Sequence, residues 1–164
     1  MKFRAEEYYQ AGQERLRQAI TIHQNGGNYA LSMYCSGLAV ECLLRAYRWS
    51  EDPSFEGRHN LRALFSASGL LQIDDAFMRK KKRSDDQILL YSLRLKTAVN
   101  EMEILWSNNL RFASEISLKA FLRRMGRLKG VKGDALKKNS SDLLEAAQTI
   151  MDRGVALWTS GERS

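Results

Sequence analysis

Acid–base chemistry in this chain of 164 residues has little to draw on, since it holds two histidines, His23 and His59. The carboxylate most at odds with its surroundings is Glu41, inside the run YCSGLAVECLLRAY at 34–47. Tyr34, Leu38, Glu41 and Arg45 recur at i, i+4, i+7 and i+11, which puts them on one face of a helix. Burying a carboxylate there without a partner costs on the order of several kcal/mol. Two partners are within reach of Glu41. Arg45 lies one turn on, in the favourable acid-then-base order. The other is the start of a helix at Arg58-His59-Asn60, where free backbone N–H groups accept an anion. His59 at that loop-to-helix junction has the right ordinary pKa to exchange protons near neutrality. Glu41, Arg45 and His59 are therefore the catalytic candidates. The competing reading is structural, with Glu41 tying two helices together.

Other chemistry finds no support in spacing. The chain lacks G-x-x-x-x-G-K-[ST], H-E-x-x-H, G-x-S-x-G and paired-cysteine metal spacing, so neither a cofactor nor a metal is expected. Cys35 and Cys42 sit seven residues apart on one helix face, too far for a disulfide, and read as buried thiols of a reducing cytoplasm. Asp74-Asp75 and Asp85-Asp86 point about 100° apart within each pair. They read as helix caps and solubilising charge. In LWSNNLRFAS at 105–114, Trp106 and Phe112 read as core aromatics closing a corner, with Arg111 as a clamp between them or as a phosphate contact.

Charge points outward. The formal net charge is +7, and it is concentrated. Arg79, Lys80, Lys81, Lys82 and Arg83 form one run. A second stretch, 119–138, holds eight basic residues, Arg123, Arg124 and Arg127 among them, against the single acid Asp134. Such clusters bind phosphate backbones by releasing counterions, and they also suit a solvated helix face. With Arg111 they are the candidate RNA or phosphate contacts.

The elements that must position these residues are helices. Pro53 is the only proline, and β-branched alternation is scarce. Helical spacing runs over 5–24, GGN at 26–28 supplies a stop, and a second helix over 28–49 folds back as a long hairpin. SEDPSFEGR at 50–58 reads as a loop, followed by a short helix over 59–68 and a turn or two over 70–78. Ser84 with Gln87 is a capping box opening a helix that ends at Trp106. Periodicity returns over 114–128. A basic, glycine-containing loop over 129–139 leads into a last helix over 141–158. The expectation is one all-α domain, an up-and-down bundle of five to seven helices over 1–160, with 161–164 frayed. No run of about 18 apolar residues would span a membrane, and MKFRAEEYYQ lacks the apolar core of a secretory signal, so a cytoplasmic protein is expected.

The order of these motifs resembles the HEPN domain superfamily. The second helix carries Ala39, Glu41, Leu44, Arg45 and Ala46 as A-x-E-x-x-L-[KR]-A. His59, Leu61 and Leu64 follow as H-x-L-x-x-L, and Trp106 leads to an Arg111-Phe112 corner. The resemblance implies a helical bundle packed as a homodimer through its long helices. It further implies an RNA-directed role in bacterial defence or a toxin–antitoxin system, often with a nucleotidyltransferase-type partner protein. Catalytic members of that family carry a late R-x(4–6)-H motif. Here no histidine follows His59, and the one matching spacing, Arg17 to His23, lies in the first helix. The resemblance, with that motif missing, therefore implies a dimeric binding module for RNA, a nucleotide or a partner protein. The alternative is a divergent metal-independent ribonuclease using His59 with nearby arginines.

Overall fold

The computed structural model describes residues 3–51 and 59–162. Among these there are seven α-helices, one 3-10 turn and no strand, an all-α helical bundle. Helix α1 (Ala5–Asn25) and helix α2 (Tyr29–Glu51) pack along their lengths as a hairpin. The reversal is made by Gly26 and Gly27, at φ 73° and 85°, values open to glycine without a Cβ penalty. Close approach of the two helices comes from small residues. Gly12 of α1 meets the backbone of α2, where a Cβ would stand 3.0 Å from the Ala39 carbonyl oxygen. Ala19 of α1 is fully buried, and its carbonyl accepts from Ser32 Oγ at 2.9 Å.

Helix α2 is the centre of the bundle. Met33, Leu43, Leu44, Ala46 and Tyr47 have no exposed surface. The mixed apolar and polar letters of 34–47 thus belong to a helix contacted on most sides rather than to one with a single wet face. Helix α7 (Ala135–Thr159) lies against α2, α5 and α1. Gly154 lets it close on Leu43, and Tyr47 Oη donates to the Gly154 carbonyl at 2.6 Å.

Three shorter helices and one long one complete the bundle: α3 (Leu61–Ala67), α4 (Leu70–Lys80), α5 (Asp85–Leu105) and α6 (Glu115–Arg124). The capping box at Ser84 is present, with Ser84 Oγ accepting from Gln87 N and Gln87 Oε1 from Ser84 N, each at 3.3 Å. At the other end of α5, Trp106 is buried and seated on Gly37 of α2. A Cβ at Gly37 would come within 2.1 Å of the indole. The indole Nε1 donates to the Tyr34 carbonyl at 3.2 Å, fixing α5 to α2.

Several expectations shift. The turn over 70–78 is a full helix of 11 residues. The last helix starts at Ala135, six residues early, because the Asp134 carboxylate caps Leu136 N and Lys137 N at 2.9 and 3.1 Å. Lys137 and Lys138 therefore belong to α7 and not to a loop. The loop expected over 50–58 is helical through Glu51, and 52–58, with Arg58, lies outside the described residues. Of the tail, Gly161 and Glu162 follow α7, and 163–164 lies outside the described residues.

Candidate functional site

Glu41, Arg45 and His59 meet. Arg45 Nε donates to Glu41 Oε1 at 2.9 Å, and His59 Nδ1 lies 2.8 Å from Glu41 Oε2. The carboxylate is 3 % exposed, while the imidazole is 48 % exposed. Both carboxylate oxygens are thus met by donors, as a buried anion requires. A carboxylate accepts and does not donate, so the hydrogen bond assigns the ring proton to Nδ1 and leaves Nε2 as the lone-pair nitrogen of the neutral ring. The backbone of α3 does not receive Glu41. Asn60 Oδ1 takes the Ala63 N–H at 3.0 Å, and Glu41 meets the side chain of the preceding residue instead.

His59, Asn60, Leu61, Glu103 and Trp106 line a recess of about 260 Å³. Arg62 holds the Glu103 of that lining, donating to Glu103 Oε2 at 2.7 Å and to Asn100 Oδ1 at 3.2 Å. The arrangement is an imidazole oriented by a buried carboxylate, with an open edge beside a shallow recess. Chemically, Nε2 can accept a proton, and the charged ring can then donate it to a bound anion. Of the chain's two histidines, the site holds one, His59.

The predicted phosphate contacts divide into two groups. Arg79 is tied to Asp75 at 2.9 Å and to Asp85 at 3.2 Å, and the hydrogen bond to Asp75 is the first cause of its raised pKa. Lys80 pairs with Glu162 at 2.6 Å, and Lys81 stands 5.5 Å from the Phe77 ring centroid. Arg127 turns inward, bound to Glu101, to Asp142 at 3.8 Å and to Asn139 Oδ1 at 3.3 Å. By contrast, Lys82, Arg83, Arg123 and Arg124 are exposed and have no carboxylate partner among the described residues. Lys82 occupies the left-handed region at φ 54° in the tight α4–α5 turn. Arg111 lies over the Phe112 ring at 4.5 Å, exposed on the 3-10 turn Asn108–Phe112.

That last placement corrects the sequence reading. Trp106 is core, but Phe112 is 76 % exposed, and Ile116, four residues on, is 82 % exposed. Arg111 therefore clamps nothing in the interior. The 3-10 turn explains it: Leu110 supplies the buried residue of the corner, and a turn of three residues per repeat puts Phe112 off that direction. Asp74 is a second correction. It is 3 % exposed and paired with Arg153 of α7, whose guanidinium lies 5.4 and 5.3 Å from the rings of Phe77 and Tyr91. No local signal marks that pair, since the partners stand 79 residues apart.

Two features went unread. His23 Nδ1 lies 3.0 Å from Ser140 Oγ, joining α1 to α7, and burial with the nearby Lys137 charge lowers its pKa. A cleft of about 620 Å³ runs between α5 and α7, with Arg94, Glu101, Asp142 and Glu145 among its lining residues. Both cysteines are buried free thiols, with Cys42 pushed up to about 11 by burial and the Glu41 charge. Among the described residues, no group of three or more His, Cys, Asp or Glu side chains is placed to hold a metal ion, and no helix is long and apolar enough to cross a membrane.

No family model, no curated protein and no solved structure matches this chain.

Proposed function

We propose that this protein is a dimeric, HEPN-like binding module that associates with RNA in the cytoplasm, in bacterial defence or a toxin–antitoxin pair. The observation that carries the reading is the unneutralised charge. Lys82 and Arg83 cap one end of α5, while Arg111, Arg123 and Arg124 lie beyond the other, past a helix of 21 residues, about 30 Å long. A phosphate backbone supplies charge over such a length. The outward face of α5 supports dimerisation, since Leu89, Leu90, Leu93 and Ile104 are all exposed along it. Exposed leucines on one helix face mark a surface that another element covers. A nucleotidyltransferase-type protein is the second partner the reading accommodates.

The test is anisotropy of labelled RNA against salt, with sedimentation of the protein alone. Binding that weakens steeply with salt, and weakens further in Lys82→Gln/Arg83→Gln and Arg123→Gln/Arg124→Gln, upholds the reading. Salt-independent or absent binding overturns it. Leu93→Glu is expected to yield monomer.

The Glu41–His59 bond favours a second reading, a divergent metal-independent ribonuclease in which His59 moves the proton and arginines steady the phosphate. Cleavage by pure protein that vanishes in His59→Ala supports it, and cleavage unchanged in that variant sinks it.

A further inference from the structure

We infer that Phe112 is a base-stacking platform, which makes the preferred ligand a single-stranded nucleic acid with an unpaired base at the Arg111–Phe112 corner. The inference rests on the RNA-binding reading above and adds to it the strandedness of the ligand and the residue that reads it. Phe112 and Ile116 are the two most exposed large apolar side chains of the described residues, at 76 % and 82 %. Leaving an aromatic ring in water forfeits the burial that a core position would give it, and the core aromatics here show the alternative. Trp106, Tyr47 and Trp158 are all buried.

The surroundings of the ring select the ligand. The Arg111 guanidinium sits 4.5 Å from the Phe112 centroid, a planar cation on a π-face. Arg123 and Arg124 close the last turn of α6, both exposed, and Lys119 stands between them and Ile116 with Glu115 at 3.0 Å. One acid among four cations leaves the corner positive. A ring with an open face, a stacked guanidinium and cations spaced along the following helix is what a flexible phosphate chain with unstacked bases requires. Duplex RNA keeps its bases stacked inside and offers such a ring nothing. An anionic membrane would also meet the cations, but it needs a continuous apolar helix face. The apolar residues Leu118 and Leu122 of α6 point into the core instead.

Three probes test this with the whole chain: a fluorescein-labelled single-stranded RNA of about a dozen nucleotides, the same sequence as a duplex, and vesicles of mixed neutral and anionic phospholipid. Because Phe112 is exposed, Phe112→Ala keeps the helical circular dichroism of the parent. The expected result is single-strand binding weakened about tenfold in Phe112→Ala, duplex binding unchanged, and affinity retained in Phe112→Trp. The new indole of that variant is quenched on binding beyond any change seen in the parent. Equal affinity for single strand and duplex, or single-strand binding indifferent to Phe112→Ala, overturns the inference while leaving RNA binding intact. Absence of all RNA binding removes the reading beneath it, and vesicle binding lost in Phe112→Ala assigns the corner to a membrane and overturns it as well.

Discussion

Glu41 shows how one residue can serve structure and invite chemistry at once. Its two oxygens are divided between Arg45 on its own helix and His59 just before α3. Removing the carboxylate in Glu41→Ala takes away the acceptor that both share. Loss of one member of a buried pair costs about 3 kcal/mol, so urea unfolding is expected to show an unfolding free energy lowered by that amount and a correspondingly lower midpoint. His59→Gln, with a half-exposed side chain, is expected to cost about 1 kcal/mol or less. If both variants unfold like the parent, the contact does not hold α3 to α2. His23 makes the pH prediction. Burial and the Lys137 charge hold its pKa below the ordinary value, so the folded state keeps the ring neutral while the unfolded chain takes up a proton near pH 6.5. Stability from this group is complete above that pH and declines as the pH falls through it. Thermal melts between pH 7.5 and 5 are expected to decline less steeply in His23→Gln, and identical slopes refute the assignment.

At the scale of elements, close contacts set where helices can sit. Alanine is the better helix former, by about 1 kcal/mol over glycine, yet at Gly37 its Cβ would overlap the Trp106 indole. Overpacking costs about 1–3 kcal/mol and wins, so Gly37→Ala is expected to lower the melting temperature. Tryptophan emission shifted to the red would report displacement of the indole. The Asp74–Arg153 pair fixes α4 to α7 from inside. Asp74→Ala alone is expected to cost about 3–5 kcal/mol, because it leaves a cation among Phe77 and Tyr91. The double change Asp74→Leu with Arg153→Met is expected to recover most of that, and a purely additive cycle would reject the coupling. The Ser84 capping box was legible because its partners stand three residues apart. So was the meeting of Glu41 with Arg45, one turn away. The early start of α7 was hidden by an acid cap set in a basic stretch, and by Asn139. That polar side chain is buried because it satisfies itself, donating to Ala135 O at 2.8 Å and Arg127 O at 3.2 Å. Asp74 and Arg153 were illegible for a different reason: their burial depends on a pairing that periodicity does not encode.

For the whole molecule, the 26 Lys and Arg residues overstate the free cationic surface, since carboxylates engage Arg79, Lys80 and Arg127. Of the predicted contacts, those without a carboxylate partner among the described residues, Lys82 and Arg83 against Arg111, Arg123 and Arg124, are split between two ends of α5. For a single strand, each neutralised phosphate contact contributes roughly −0.7 to the slope of log affinity against log salt. Arg123→Gln/Arg124→Gln is expected to flatten the slope by about 1.4, and Arg127→Gln to leave it unchanged while lowering stability. An unchanged slope in the first variant moves the contact elsewhere. The α1–α2 hairpin is assembled from neighbours in sequence, whereas Tyr47 reaches Gly154 across 107 residues and Trp106 reaches Tyr34 across 72. Local contacts close fast and distant ones late. During synthesis the hairpin emerges before α7, with Leu43 and Tyr47 still wet. The hairpin stays adhesive until α7 is released, so its aggregation risk persists until the 25 residues of that helix have emerged.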